Sequence, residues 1–393
     1  MLTRSILVLF CSQLIFVSGA VLLATIGGIV GAEIAPSRSL ATLPLSLMIV
    51  GAALTAVPAS LLMQRTGRRR GFVFAALLAA AGATTAAYAL EAASFALFCT
   101  GAASIGAAQA FSQQFRFAAA ESVPADRVSY AVSFILLGSI GGAVLGPEFA
   151  SRSQSFTPET PYRAGMVAMV GLYLLASTLL ALLPRSEGNA KEDLHEMPRS
   201  LTAVVSQPLF VVALLAGIVG QGVMTFVMTA TPVSMHVMDG HGIQETASVI
   251  RAHVIAMYLP SLASAPLIAR FGTTRLMVAG VSAMLLSLGA GLMGQGVVHY
   301  WWALVLLGIG WNFLYVGGTT LLVRSYRASE KFRAQAVNEF SIFGISALSS
   351  LLAGTIVAQL GWSAVLVSCL PLLALMALAL VLARARGLDA VSS

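Results

Sequence analysis

Polar and titratable side chains sit at five places inside long apolar runs of this chain. Burying such groups in a low-dielectric interior is costly, so they normally face a bundle interior or a wet cavity. Gln109, Gln113 and Arg116 fall at i, i+4 and i+7, one face of a helix. Together they offer amide donors and acceptors and a permanent cation, suited to a polar or anionic solute. The alternative is that Arg116 reaches the membrane interface or pairs with Glu121 while the glutamines bridge helices. A second group is Trp311, Asn312 and Tyr315, with Thr319 beyond. There two rings could stack on a planar body while the amide fixes its orientation. Gln221 with Thr225 and Thr229 forms a third, i, i+4, i+8 stripe, in which only Gln221 carries weight because threonines usually bond their own backbone. The fourth and fifth places each hold one lone titratable group, His253 and Glu339. His253 suits a proton carrier or a buried, hydrogen-bonded imidazole. Glu339 suits a proton site or a gate contact with Arg65 or Arg68.

No enzyme is expected from these residues. There is no HExxH, GxSxG or clustered acid pair, and no GxxxxGK[ST] loop through which ATP could act. Cys11, Cys99 and Cys369 lie far apart in apolar runs without metal-ligand spacing, so neither a metal nor a cofactor is expected.

The elements that must hold these groups follow from hydropathy. Of 393 residues, 58% are hydrophobic and 9% charged, whereas a soluble chain carries about 25% charged residues. Only a lipid-facing exterior solvates such a surface. A crossing helix needs roughly 20 apolar residues, and twelve runs qualify: 5–31, 39–63, 71–90, 95–118, 128–147, 163–184, 208–232, 247–269, 276–295, 300–323, 335–358 and 362–383. Their length and the absence of period-two alternation indicate helices rather than barrel strands. The first run outlasts a signal-peptide core and reads as a retained span. The net charge of +7 comes from short basic clusters between the runs, which excludes a nucleic-acid reading and places membrane lipid as the surrounding partner. With the N-terminus inside, only Arg38, Arg152, Arg163 and Arg251 face outward, while the large majority of Lys and Arg face inward. Both termini are therefore expected in the cytoplasm, in a bacterial inner membrane. Tyr300, Trp301 and Trp302 mark the outer interface.

The chain also repeats itself. Arg65 and Gly67 follow the second run; Arg270 and Gly272 follow the eighth, 205 positions later in each case. The longest polar stretch, with Arg185, Glu187, Lys191, Glu192 and Asp193, falls between the sixth and seventh runs. The expected domains are a six-helix bundle at 1–184, a linker at 185–207 and a second bundle at 208–393. Duplicated bundles of this kind are the sequence form of an alternating-access transporter.

At this point the chain resembles the major facilitator superfamily over essentially its whole length. The family's loop signature, G-x-L-a-D-R-x-G-R-R, is met by Leu62, Arg65, Gly67, Arg68 and Arg69, with Ser60 replacing the leading glycine and Gln64 the aspartate. The weaker second copy keeps Arg270 and Gly272. In the family this loop gates the inner side. Gly142, Gly146 and Pro147 resemble the G-x-x-x-G-P signature of the family's exporters, although Ala150 and Ser151 replace its later glycines. Ordinary helix packing explains the same residues. No basic residue stands at 98–106, where proton-antiporting members carry an arginine. The resemblance implies an all-α membrane fold of twelve helices in two pseudo-symmetric bundles, a cavity lined by the first, fourth, seventh and tenth spans, and a monomer. The expected function is secondary active transport of a small polar or anionic organic solute, with proton coupling, leaning to export. Uptake or uniport of a small metabolite is the alternative.

Overall fold

The computed structural model describes residues 3–36, 40, 43–156, 160, 162–184 and 198–386. Most of the expected linker, including Arg185, Lys191 and their acidic neighbours, lies outside the described residues. The described residues are helical almost throughout, as the uninterrupted apolar runs require: a backbone in lipid must satisfy its own hydrogen bonds. In chain order the helices are α1 (Arg4–Ile34), α2 (Leu43–Thr66), α3 (Arg68–Glu91), α4 (Phe95–Ser112), α5 (Phe115–Glu121), α6 (Val128–Phe156), α7 (Arg163–Ala181), α8 (Leu201–Val205), α9 (Pro208–Pro232), α10 (Ile243–Tyr258), α11 (Ser261–Phe271), α12 (Thr273–Leu292), α13 (Val297–Ser325), α14 (Lys331–Ser368) and α15 (Leu370–Ala385).

Among the described residues eleven stretches are long and apolar enough to cross a membrane, and the last runs 58 residues, to Ala385. At about 1.5 Å per residue that stretch would reach about 87 Å, far more than one crossing of about 30 Å. It is broken at Gly361, where φ is 81° and ψ 177°, so it makes two crossings and the chain twelve. Two crossings are each built from two helices: α4 with α5, and α10 with α11.

By their contacts the residues fall into two compact units. The first comprises Met1–Ser122, Ile135–Met197 and Gln335–Phe343; the second comprises Val123–Phe134, Pro198–Ala334 and Gly344–Ser393. In the first unit α4 packs on α2 and α3, and α3 on α7. In the second, α13 is the hub, packing on α9, α10 and α12.

Small residues set these distances, because helices in lipid associate by close packing rather than by hydrophobic exclusion. A Cβ on Gly101 would lie 2.7 Å from the Gly82 carbonyl oxygen, and one on Gly82 2.9 Å from that of Gly101. The pair α12–α13 crosses in the same way at Gly280 and Gly310. The fifth-span signature has the same use. A Cβ on Gly142 would meet the Leu14 carbonyl at 2.9 Å, and one on Gly146 that of Ser18 at 2.9 Å. These glycines seat α6 on α1, and Pro147 lies within α6 without ending it.

The repeat extends to backbone conformation. Gly67 has φ 84° and ψ 155°, and Gly272 φ 87° and ψ 160°. Each ends one crossing and starts the next, in an extended, positive-φ region that is essentially reserved for glycine and costs other residues roughly 1–3 kcal/mol. Gly67→Ala and Gly272→Ala should each lower stability by about that amount in thermal unfolding of the detergent-solubilised protein. Gly171→Ala, where an added Cβ meets nothing within 4 Å, should not.

Candidate functional site

In the second unit the tenth crossing brings an aromatic wall to an amide. Trp311 and Tyr315 are one helical turn apart on α13, so their rings lie on one face; they stack with centroids 4.6 Å apart at 23°. Tyr258, at the end of α10, meets Trp311 edge-on at 5.8 Å. The Trp311 Nε1–H donates to Gln221 Oε1 at 2.8 Å. Gln221 Nε2 in turn donates to Thr225 Oγ1 at 3.3 Å, and the Thr225 and Ser346 hydroxyls are 3.5 Å apart. Trp311 and Tyr315 are 4% and 8% exposed, while Gln221, Thr225 and Tyr258 are half-buried. The cluster combines stacked aromatic rings with a carboxamide held in one orientation.

Asn312 requires a correction. The sequence suggests a solute-orienting amide, but Asn312 is wholly buried and its side chain is used inside the fold. Its Nδ2 donates to the Met257 carbonyl at 2.8 Å and to Ser261 Oγ at 2.6 Å, while Oδ1 accepts from Ser264 Oγ at 2.7 Å. The physical reason is the break between α10 and α11 at Leu259–Pro260: proline has no N–H to continue the helix ladder, and Asn312 pins the two sides of the break to α13. His253 is likewise internal. It is fully buried, and its Nδ1–H donates to the Leu304 carbonyl at 2.8 Å, which joins α10 to α13. Its Nε2 has no hydrogen-bond partner among the described residues.

In the first unit, the expected stripe Gln109–Gln113–Arg116 does not lie along one continuous helix. Gln113 and Gln114 form a turn between α4 and α5, with the Gln114 N–H bonded to the Phe111 carbonyl, three residues back. Gln109 and Gln113 stay half-buried, and Gln109 Oε1 has no partner among the described residues. Arg116 instead turns inward. It is 3% exposed and pairs with Glu339 at 2.5 Å, neither with Glu121 nor placed as an open anion site. Asn338 Nδ2 also donates to Glu339 Oε1, at 2.9 Å.

Glu339 therefore does not meet Arg65 or Arg68, as the sequence suggested. Arg65 and Gln64 are exposed. Arg68 binds Glu121 at 2.7 Å and Gln335 at 3.0 Å, and its Nη1 reaches Gln114 Oε1 at 3.3 Å. Gln114 Nε2 donates to Ser60 Oγ at 2.9 Å, so the serine that departs from the loop signature anchors the turn. Gly67 and Gly272 are the matching residues between crossings, with Arg69 in the first turn of α3 and Arg270 in the last turn of α11. Arg270 rests over the Phe271 ring at 5.2 Å.

Several of these residues are not singled out by sequence spacing: Ser60, Gln114, Gln335, Asn338, and the buried pair Gln13–Ser139 at 3.0 Å that links α1 to α6. Their one sequence signal is a polar side chain inside an apolar run. Among the described residues no group of three or more His, Cys, Asp or Glu could hold a metal ion.

Comparison with known proteins places this architecture. The profile of the Major Facilitator Superfamily matches residues 8–249. The chain is 33% identical to the riboflavin transporter RfnT of Brucella anthropi over 96% of its length and 95% of that protein. It is 29% identical to the MFS-type transporter YddS of Bacillus subtilis over 93% of its length and 87% of that protein. In fold it is similar to the E. coli fucose:proton symporter FucP in the outward conformation, with a TM-score of 0.75 at 17% identity, covering 95% of this chain and 97% of that one. It is also similar to the human organic anion transporter MFSD10, with a TM-score of 0.74 at 15% identity, covering 96% and 99%.

Proposed function

The chain belongs to the Major Facilitator Superfamily, and from that premise we propose that it carries a small, flat, neutral heteroaromatic solute of the riboflavin class by alternating access. The observation that carries this reading is the Trp311–Tyr315 stack, bordered by Tyr258 and the oriented carboxamide of Gln221. A planar ring system gains from offset stacking on such a wall, and a carboxamide supplies a donor and an acceptor that match an imide edge. The 33% identity with a riboflavin transporter supports the same solute class. The pairing of Arg116 with Glu339 favours a neutral solute, since it compensates the cation that an anion would need.

The protein acts in the cytoplasmic membrane as two six-helix halves, 1–184 and 208–393, joined by 185–207, with both termini in the cytoplasm; the Lys and Arg distribution supports this. Proton coupling runs through Glu339, because a proton on this carboxylate would remove the partner that neutralises Arg116. The contacts of Gly142 and Gly146 with α1 serve an exporter and a permease equally, so the assay is run both ways.

Proteoliposomes containing the purified protein should accumulate labelled riboflavin under an imposed pH gradient of one sign and release it under the other. Riboflavin 5′-phosphate, with two extra charges, should move at least tenfold more slowly. Riboflavin flux no greater than that of empty liposomes in both directions would exclude this solute class.

A further inference from the structure

In both units an acidic residue in the connection after the fourth crossing of that half is held by an arginine, but the arginines come from different places. In the first unit Glu121, at the end of α5, is held by Arg68 of the repeated loop. The second unit holds Glu330, in the short turn Ala328–Glu330 that follows α13. The position that repeats Arg68, 205 residues on, is Thr273. The loop of the second half has lost this arginine, and Glu330 is met instead by Arg199, which precedes α8 and α9.

The contact is a built one. Arg199 Nη2 lies 2.6 Å from Glu330 Oε2 and Nε 2.8 Å from Oε1, a two-pronged pairing. The Arg199 backbone N–H donates to the same carboxylate at 2.8 Å, and Glu330 is only 3% exposed. Arg199 also donates to Gln207 Oε1 at 3.0 Å and to the Ser325 carbonyl at 3.3 Å, and Gln207 Nε2 donates to that carbonyl at 3.0 Å. Gln207 is the residue before α9, and Ser325 is the last of α13. One guanidinium thus fastens the start of α9, the end of α13 and the turn beyond it.

These helix ends bear on the aromatic site. Gln221 lies fourteen residues along α9 from Gln207, and Trp311 lies fourteen residues before Ser325 on α13. Each is about 21 Å from the clamp by the helical rise. Two helices pinned at one end therefore bring amide and indole to the same height. A slip of one residue would shift one against the other by about 1.5 Å, half the length of the Trp311–Gln221 hydrogen bond.

We infer that Arg199 is a positioning residue for transport, carried by the segment between the two halves, which replaces the arginine lost from the second loop and sets the register of Gln221 against Trp311. The inference rests on the aromatic site described above, and its first test does not depend on the solute.

In full-length protein with Trp301, Trp302 and Trp362 changed to Phe, the emission of Trp311 reports its bond to Gln221. Gln221→Leu should shift that emission directly. Arg199→Gln should shift it in the same sense, Arg199→Lys less, and the reversal Arg199→Glu with Glu330→Arg should return it. In riboflavin flux, Arg199→Gln should lower turnover per folded protein by roughly tenfold and the reversal should restore it to within about threefold. Emission unmoved by Arg199→Gln but moved by Gln221→Leu would overturn the inference. If Arg199→Gln does not fold, the reversal decides: recovery of folding and emission supports the clamp, and continued failure overturns it. If the wild type moves no riboflavin, only the proposed solute falls and the emission arm stands.

Discussion

Glu339→Gln is expected to abolish proton-driven transport and to destabilise the folded protein by about 3–5 kcal/mol, the cost of leaving a buried charge without its partner. Arg116 and Glu339 are 3% and 2% exposed at the side chain, and their contact is 2.5 Å. Glutamine keeps the shape and most of the hydrogen-bonding capacity but removes the negative charge, so Arg116 remains buried beside a neutral amide. Arg116→Met should be similarly destabilising by stranding the carboxylate. The double variant Arg116→Met with Glu339→Leu removes both charges, and apolar replacement of a buried pair is often neutral or stabilising. It should regain the wild-type unfolding midpoint while remaining unable to accumulate solute against its gradient. Denaturant unfolding and pH-driven flux in the same three variants check both halves. Wild-type stability in Glu339→Gln would mean that the pair is not a buried ion pair; pH-driven accumulation in the double variant would remove Glu339 from coupling.

The second large effect concerns the aromatic wall. Trp311→Leu keeps apolar bulk but loses the flat face that stacks on Tyr315 and the N–H that fixes Gln221. Stacking adds about 0.5–1.5 kcal/mol beyond buried area and a hydrogen bond about 1 kcal/mol. The apparent KM for riboflavin should therefore rise by roughly tenfold to a hundredfold, with little change in flux at saturation. Tyr300→Phe is the control. Tyr300 donates to Asp239 at 2.6 Å near the start of α13, well away from Trp311, and its loss should leave KM unchanged. Equal KM values for Trp311→Leu and the wild type would leave the proposed site without its main contact.

Much of the fold was legible in the sequence because the bilayer imposes one length on every crossing. The runs at 335–358 and 362–383 were separated correctly even though the backbone is nearly continuous there, because Gly361 interrupts the apolar pattern where the helix breaks. The loop copies were legible for a related reason: Gly67 and Gly272 adopt the same positive φ, so the residue type records the conformation. The partners of the polar groups were not legible. The stripe over Gln109, Gln113 and Arg116 assumes one unbroken helix, whereas the turn at Gln113–Gln114 is held by Ser60 and Arg68, which are remote in sequence. Asn312 reads as a site residue from its depth alone; its partners lie about fifty residues away beside Pro260. Trp311, Tyr315 and Gln221 did come together, because an i, i+4 pair on one helix needs only one neighbour to complete it.

The break at Gly361 also bears on how the chain is threaded. Helices on either side of it are apolar enough to continue as one rod, and a residue with a Cβ would resist the φ of 81° found there. An unbroken rod of that stretch would run about 87 Å, nearly three times the thickness of the hydrocarbon core. The return of the chain into the bilayer at Gly361 thus rests on one absent methyl group.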